Sequence, residues 1–190
     1  MAEATRLPRY SLEEYSVLEE TSNVRHEYLD GHIYAMAGGT PEHGGLCANL
    51  IAILSNALEN RACRVFTSDV RVRIQATGLD TYPDASVICG RIERDAVDRN
   101  ALTNPVFLAE VTSPTTESYD RGQKLDHYNG IPSLREVLIV SHDERRVEVW
   151  RRGGDGSWSA ESSGSGALVR LVSLDADLKV DAVYRNPLPD

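Results

Sequence analysis

Cysteine is scarce in this sequence. The 190 residues contain three, Cys47, Cys63 and Cys89, which are widely spaced and surrounded by apolar residues. An odd number at such spacing is typical neither of a disulfide framework nor of a zinc site. We therefore expect three reduced cysteines in the core and a reducing, cytoplasmic compartment.

Long apolar runs are also lacking. The opening MAEATRLPRY has no apolar signal-peptide region, and the most apolar long stretch, residues 46–58, is interrupted by Asn49, Ser55 and Asn56. A membrane-spanning helix needs about 20 consecutive apolar residues. We therefore expect neither secretion nor membrane insertion.

Positive charge is in deficit. The chain has 20 Lys and Arg against 29 Asp and Glu, a net charge of −9. This is the wrong sign for a protein that binds nucleic acid chiefly by covering phosphates with basic side chains. It disfavours metal-independent DNA binding. The negative charge is compatible with an acidic metal site, whose ion would reverse the local charge. Basic residues also still cluster at Arg145, Arg146, Arg151 and Arg152.

Several catalytic motifs are missing. His26, His32, His127 and His142 have no zinc-binding spacing. The sequence also has no glycine-rich phosphate loop and no serine-hydrolase elbow. Zinc-dependent, nucleotide-dependent and serine-hydrolase chemistries are therefore disfavoured.

The composition that remains is that of a globular protein. An apolar fraction of 41% and a charged fraction of 26% suit one folded domain over residues 1–190. Capping signals predict helices from Ser11 to Glu20, from Thr40-Pro41 to Asn60, and from Asp120, as the cap, to Asn129. Strands are predicted at 26–36 (a hairpin), 63–66, 70–74, 85–89, 106–111, 136–140 and 147–150, with a loop at 162–166 and a packed tail at Val180, Val183 and Tyr184.

Two acidic residues lie in or beside apolar strands. Asp84 precedes one such strand, and Glu110 lies inside another. A buried carboxylate needs a cation, hydrogen bonds or a metal, and an ion pair with Arg71 or Arg73 is the structural alternative. Lys124, on the next predicted helix, can converge with the two acids on one point.

The order of these motifs resembles the Uma-two type of restriction endonuclease, a branch of the PD-(D/E)xK superfamily. The resemblance is carried by residues 82–87, 110–114 and 120–128, with further similarity at 27–31, after Pro41 and at 132–136, and it covers roughly residues 10–185. An ordered set of motifs is more specific than any one of them.

The resemblance implies a restriction-endonuclease-like α/β (α+β) core, in which a mixed sheet is flanked by helices, and a DNA substrate. It implies that Asp84 and Glu110 bind Mg²⁺ or Mn²⁺ together with the carbonyl of Val111, while Lys124 serves the attacking water. The superfamily often works as homodimers. One position departs from the pattern, because Thr112 stands where a standard D/E-x-K motif has lysine.

Three further residues are candidates for the site, each with a structural alternative. Glu27 resembles the early acid that completes the active site in this superfamily, or is a solvated hairpin charge. His43 is a candidate contact for substrate or water, or a surface residue at the start of a helix. Tyr128 is a candidate contact for phosphate, or a core tyrosine.

The sequence leaves three functions open. The first is a metal-dependent endonuclease. The second is a catalytically silent domain of the same fold that acts in binding or assembly, in keeping with the acidic charge and with Thr112. The third keeps the metal but takes a small phosphodiester or a single-stranded end as substrate.

Overall fold

The structure is a computed structural model that describes residues 8–114 and 117–185. Within these ranges the chain forms five α-helices and thirteen strands. The helices are α1 (Leu12–Thr21), α2 (Pro41–Ala57), α3 (Glu117–Asp120), α4 (Gln123–Tyr128) and α5 (Val180–Val183). The strands are β1 (His26–Leu29), β2 (His32–Ala35), β3 (Cys63–Thr67), β4 (Arg71–Ile74), β5 (Leu79–Thr81), β6 (Ala85–Cys89), β7 (Ala101–Leu102), β8 (Phe107–Val111), β9 (Glu136–Val140), β10 (Arg146–Arg152), β11 (Trp158–Gly164), β12 (Leu168–Leu171) and β13 (Ala176–Lys179).

The strands form two mixed sheets and a hairpin. The larger sheet has the order β11-β10-β9-β8-β6-β3, and the smaller has the order β2-β1-β5-β4-β7. The pairs β8–β9 and β4–β7 are parallel, and the other pairs in the two sheets are antiparallel. The predicted mixed-sheet fold with flanking helices is confirmed.

The two faces of the larger sheet are covered differently. Leu50 and Leu54 of α2 pack over one face, in a cluster that includes Val111 of β8. The opposite face carries Leu108 of β8 and packs against the smaller sheet and Tyr128 of α4. Because side chains alternate along a strand, the side chain of Glu110 lies on the same face as that of Leu108. The Glu110 side chain therefore points into the layer between the two sheets.

Local capping signals determine where α1 and α2 begin. Ser11 and Glu14 form the predicted capping box of α1. Thr40 caps α2, and Pro41 is its first residue. Both starts agree with the prediction, while α2 ends at Ala57, three residues before the predicted Asn60. The tail also packs as predicted, with Val180, Val183 and Tyr184 buried.

Two local predictions are wrong. Asp120 does not cap a helix; it ends α3, and α4 begins after Gly122. Its carboxylate lies instead beside the buried ammonium of Lys124, at 3.5 Å. The loop predicted at 162–166 also starts too early, because β11 continues to Gly164 in antiparallel register with β10. Pairing through the backbone at a sheet edge needs no apolar side chains, so composition does not reveal it.

The prediction of three reduced cysteines is wrong as well. Cys63 of β3 and Cys89 of β6 lie opposite each other in antiparallel register and are joined by a disulfide, whereas Cys47 is free. The register of two strands brings together thiols that are 26 positions apart in sequence. Among the described residues, no helix is both long and apolar enough to cross a membrane.

Candidate active site

Asp84 lies at the junction of β6 and β8. β6 pairs antiparallel with β8, with Ala85 opposite Ala109, so this register places Asp84 opposite Glu110 and one position from Val111, the last residue of β8. The backbone N–H of Val111 donates a hydrogen bond of 2.8 Å to Asp84 Oδ2. This bond orients the carboxylate on the face of the sheet that α2 covers.

His43 reaches the same two residues from the first turn of α2. Its Nε2 lies 3.1 Å from the carbonyl oxygen of Val111 and 3.4 Å from Asp84 Oδ2. The hydrogen bond to Asp84 raises the pKa of His43 above its ordinary value, against the opposing effect of burial. The other ring nitrogen, Nδ1, lies 3.5 Å from Cys47 Sγ.

Glu110 lies on the opposite face of β8 and is only 3% exposed. Its Oε1 is 3.0 Å from Lys124 Nζ and accepts a hydrogen bond from the hydroxyl of Tyr128. Burial raises the pKa of Glu110 to about 8, and the charges of Asp84 and Asp120 add to that rise, whereas Lys124 and Tyr128 oppose it. The carboxyl is therefore held in a site where its negative charge is costly.

Lys124 is buried among three carboxylates. Its Nζ lies 3.0 Å from Glu110, 3.5 Å from Asp120 and 3.8 Å from Glu27. Burial alone would lower the pKa of Lys124, but the three acids raise it above the usual value, so the ammonium stays charged. Glu27 is held in turn by a hydrogen bond from the Thr81 hydroxyl of β5.

The arginines that the sequence offered as structural partners of the acids are engaged elsewhere. Arg71 pairs with Asp98 at 2.6 Å, and Arg73 pairs with Asp80. Glu110 has Lys124 as its cationic partner. The alternative of an ion pair between Glu110 and either arginine is therefore wrong.

Thr112 lies where a D/E-x-K motif carries lysine, and it makes a different contact. Its side chain is buried, its Oγ1 lies 2.9 Å from His142 Nδ1, and it accepts a hydrogen bond from the backbone N–H of His142. The ammonium beside Glu110 is that of Lys124 on α4, 3.0 Å from Oε1. The lysine that meets Glu110 therefore comes from α4.

The structure thus forms two adjacent groups that share the peptide bond between Glu110 and Val111. One contains Asp84, the Val111 carbonyl and His43; the other contains Glu110, Lys124, Tyr128, Glu27 and Asp120. Sequence reasoning missed Asp120 and Cys47. Cys47 follows a signal that was available, since it lies four residues after His43 on α2, a spacing that places both side chains on one side of the helix. Asp120 and Lys124 lie on different helices, so helical spacing does not predict their contact.

The donor atoms fit a divalent cation in charge and in type. The carboxylates of Asp84, Glu110, Glu27 and Asp120 outnumber the one ammonium among them, so the cluster keeps a negative charge that a cation would neutralise. Carboxylate and carbonyl oxygens are the ligands that Mg²⁺ and Mn²⁺ prefer.

A tighter group of possible ligands lies on the α2 side. In the part of the chain that the structure describes, donor atoms of His43, Cys47 and Asp84 all lie within 4.8 Å of one another. Glu110 is outside this group, with its Oε1 at Lys124 and Tyr128. The two carboxylates nevertheless sense each other, because the charge of Asp84 raises the pKa of Glu110.

Known proteins resemble this chain in sequence or in structure. The chain is 35% identical over 178 residues to the uncharacterized protein slr1290 of Synechocystis, covering 94% of this chain and 93% of the relative. It is 33% identical over 145 residues to the uncharacterized protein sll1609 of the same organism, covering 76% and 82%. A crystal structure titled as a putative nuclease belonging to DUF820, from Anabaena variabilis, superposes with a TM-score of 0.75 at 20% identity, covering 92% of this chain and 97% of that chain.

The family match spans most of the sequence. Residues 12–181 match the family Uma2, which is described as "Putative restriction endonuclease". The matched range contains both groups of the site, from Glu27 to Tyr128. The chain therefore belongs to the Uma2 family, whose fold is that of restriction-endonuclease-like nucleases.

Proposed function

We propose that this protein is a divalent-metal-dependent endonuclease that hydrolyses phosphodiester bonds in DNA. The observation that carries the proposal is the buried pair of Glu110 and Lys124, 3.0 Å apart, beside Asp84 at the end of the neighbouring strand. A buried ammonium among carboxylates and a second acid next to it is costly to keep for stability alone. Such a cluster suits a reaction in which negative charge develops on a phosphate.

Asp84, Glu110 and the carbonyl of Val111 would hold the ion, Mg²⁺ or Mn²⁺. When bound, such an ion lowers the pKa of a coordinated water and neutralises charge on the scissile phosphate. Asp84 is already oriented for this role by the N–H of Val111. Glu110 would have to share its carboxylate between the ion and Lys124, which its two oxygens allow.

Lys124 would act on the attacking water or on the phosphate oxygens. Its ammonium is held by Glu27 and Asp120 as well as by Glu110, so its position does not depend on one partner. A fixed cation stabilises the pentacovalent transition state more than the ground state, because charge on the phosphate oxygens is greater there. Glu27 and Asp120 are positioning residues in this assignment.

Tyr128 serves the site through Glu110. The residue is 1% exposed, and its hydroxyl donates to Glu110 Oε1. We therefore assign it to the orientation of that carboxylate and not to contact with phosphate. His43 remains on the partly exposed side of the site, with its ring at the same oxygens as the proposed ion.

A cleavage assay tests the proposal. Wild-type protein and Asp84→Ala are incubated with plasmid and with single-stranded DNA, in Mg²⁺, in Mn²⁺ and in EDTA. We expect cleavage by the wild type with metal, and none in EDTA or by Asp84→Ala. Metal binding without cleavage of either DNA would favour the silent binding or assembly domain, which the substitution of Thr112 for the usual lysine supports.

A further inference from the structure

One nitrogen of the His43 ring, Nε2, faces two oxygen atoms. Nε2 lies 3.1 Å from the Val111 carbonyl oxygen and 3.4 Å from Asp84 Oδ2. Both oxygens are acceptors, so Nε2 carries the hydrogen when no ion is present. The same two residues provide oxygens to the ion in the proposed function.

The two distances match those between neighbouring ligands of one small cation. Ligands about 2.1 Å from an ion lie about 3.0 Å apart in an octahedral arrangement and about 3.4 Å apart in a tetrahedral one. Nε2 therefore has the spacing of a third donor on a common ion. For an ion to bind there, the hydrogen on Nε2 must be displaced.

The other ring nitrogen has a partner that suits this role. Cys47 Sγ lies 3.5 Å from Nδ1, one helical turn along α2. A histidine that binds metal through one nitrogen usually donates the hydrogen of the other to a nearby acceptor. When the ion takes Nε2, the hydrogen is carried on Nδ1, and the sulfur accepts it. Cys47, whose sulfur also lies within 4.8 Å of an Asp84 oxygen, thus supports the orientation of the ring.

We propose that His43 is a metal ligand through Nε2, and that its imidazole makes the site prefer Mn²⁺ to Mg²⁺. The inference rests on the proposed function, which provides the other ligands from Asp84, Glu110 and Val111. Mg²⁺ favours all-oxygen ligand sets and keeps several waters. An imidazole nitrogen favours ions of the transition series, which bind nitrogen donors more tightly.

Metal titrations of the full chain test the preference. Mn²⁺ and Mg²⁺ are titrated calorimetrically into wild type, His43→Ala and His43→Gln; the glutamine keeps an N–H donor for Asp84 but removes the imidazole. We expect both variants to bind Mn²⁺ about tenfold more weakly or worse, and to bind Mg²⁺ within about twofold of the wild type. His32→Ala, on β2 away from the site, is the matched control and should bind both ions as the wild type does.

Pulsed electron paramagnetic resonance of bound Mn²⁺ provides a readout other than affinity. The wild type should show coupling of the ion to an imidazole nitrogen, and His43→Gln should lose it. Mn²⁺ bound without such coupling would overturn the inference, as would equal Mn²⁺ affinity in wild type and His43→Gln. Loss of Mn²⁺ from Cys47→Ala as complete as from His43→Gln would also overturn it, in favour of a sulfur ligand.

The failure of this inference differs from the failure of the proposed function. If Asp84→Ala abolishes binding of both ions while His43→Gln changes neither, the metal-dependent endonuclease stands and only the role of His43 falls. If neither ion binds the wild type, both fall together.

Discussion

Lys124 bears a charge that the fold buries at a cost and surrounds with compensating charges. The sequence has two lysines, Lys124 and Lys179, and only the first is buried. A lysine held by Glu110, Asp120 and Glu27 cannot swing into solvent without leaving three carboxylates close together. Its position is therefore fixed before any substrate arrives, which is what electrostatic catalysis requires.

The first prediction separates the roles of Lys124 and the metal. Lys124→Ala should lower kcat about a hundredfold or more, because it removes a contact made in the transition state and not a metal ligand. Metal affinity should not fall. Lys179→Ala, which removes the exposed lysine, is the matched control for the assay. Unchanged cleavage by Lys124→Ala would favour a catalytically silent domain.

Glu110 gives a pH-dependent prediction at the same scale. Its pKa is raised by burial to about 8, from an ordinary value of 4.5. Because the folded state holds its proton more tightly than the unfolded state, the stability gained is full below about pH 4.5 and is lost as the pH rises through about 8. In EDTA the melting temperature of the wild type should fall between pH 6 and pH 8, and it should fall more than the melting temperature of Glu110→Gln, which lacks the titrating carboxyl. Parallel pH profiles of the two proteins would contradict this.

At the scale of elements, two adjacent parallel strands each bury a glutamate. Glu110 of β8 belongs to the site, whereas Glu136 of β9 pairs with Arg151 at 3.0 Å and accepts hydrogen bonds from the backbone of Val172 and Ser173. Glu136 therefore ties β9 to the segment that follows β12. The two acids provide a matched comparison of a candidate functional carboxylate and a structural one.

The Glu110→Gln and Glu136→Gln variants should behave oppositely in thermal melts. Glu110→Gln should be neutral or stabilising in EDTA, because Lys124 keeps two carboxylates and the excess negative charge falls. Glu136→Gln should lower the free energy of unfolding by about 1–3 kcal/mol, because buried N–H groups and Arg151 lose a charged acceptor. Added metal should raise the melting temperature of the wild type and of Glu136→Gln, and leave Glu110→Gln nearly unmoved. If Glu110→Gln instead melts well below the wild type and metal shifts neither, Glu110 is a structural acid.

Elements with strong local signals could be predicted from the sequence. The starts of α1 and α2 follow from their caps, and β9 runs from Glu136 to Val140 as predicted from its apolar run. These signals act over a few residues, so a sequence contains them in full. The Asp30-Gly31 turn likewise gives the predicted hairpin, with both residues at positive φ.

Contacts between distant segments could not be predicted in the same way. The disulfide of Cys63 and Cys89 depends on the register of β3 and β6, which no local pattern specifies. The partners of the buried acids also depend on how distant segments pack together. Glu110 meets Lys124 because α4 packs under β8, whereas the sequence left Arg71 equally open as its partner. The order of the family motifs, and not hydrophobic periodicity, pointed to Lys124 as a residue of the site.

At the scale of the whole molecule, three of the four clustered arginines are paired with acids within the fold, whereas Arg152 contacts Asn129 and the Trp158 ring. Arg145 pairs with Asp181 at 3.6 Å, and Arg146 pairs with Glu144 at 2.6 Å. Arg151 is bound to Glu136 and Glu161. These guanidinium groups have acidic partners within the fold, so they add little positive field toward DNA. These three arginines therefore provide no unpaired positive charge to offset the net charge of −9.

The last prediction follows from that charge. DNA binding should require the ion, because the ion replaces excess negative charge at the site with a positive centre that phosphate can contact. Lys124→Ala in Mn²⁺ is suited to the measurement, since we expect it to keep the metal while leaving labelled DNA intact. Its fluorescence anisotropy titration should show binding in Mn²⁺ that weakens with added salt and disappears in EDTA. Asp84→Ala/Glu110→Ala, without the ligands, should not bind in either condition. Equal affinity in Mn²⁺ and EDTA would show instead that DNA is held by a basic surface remote from the acids.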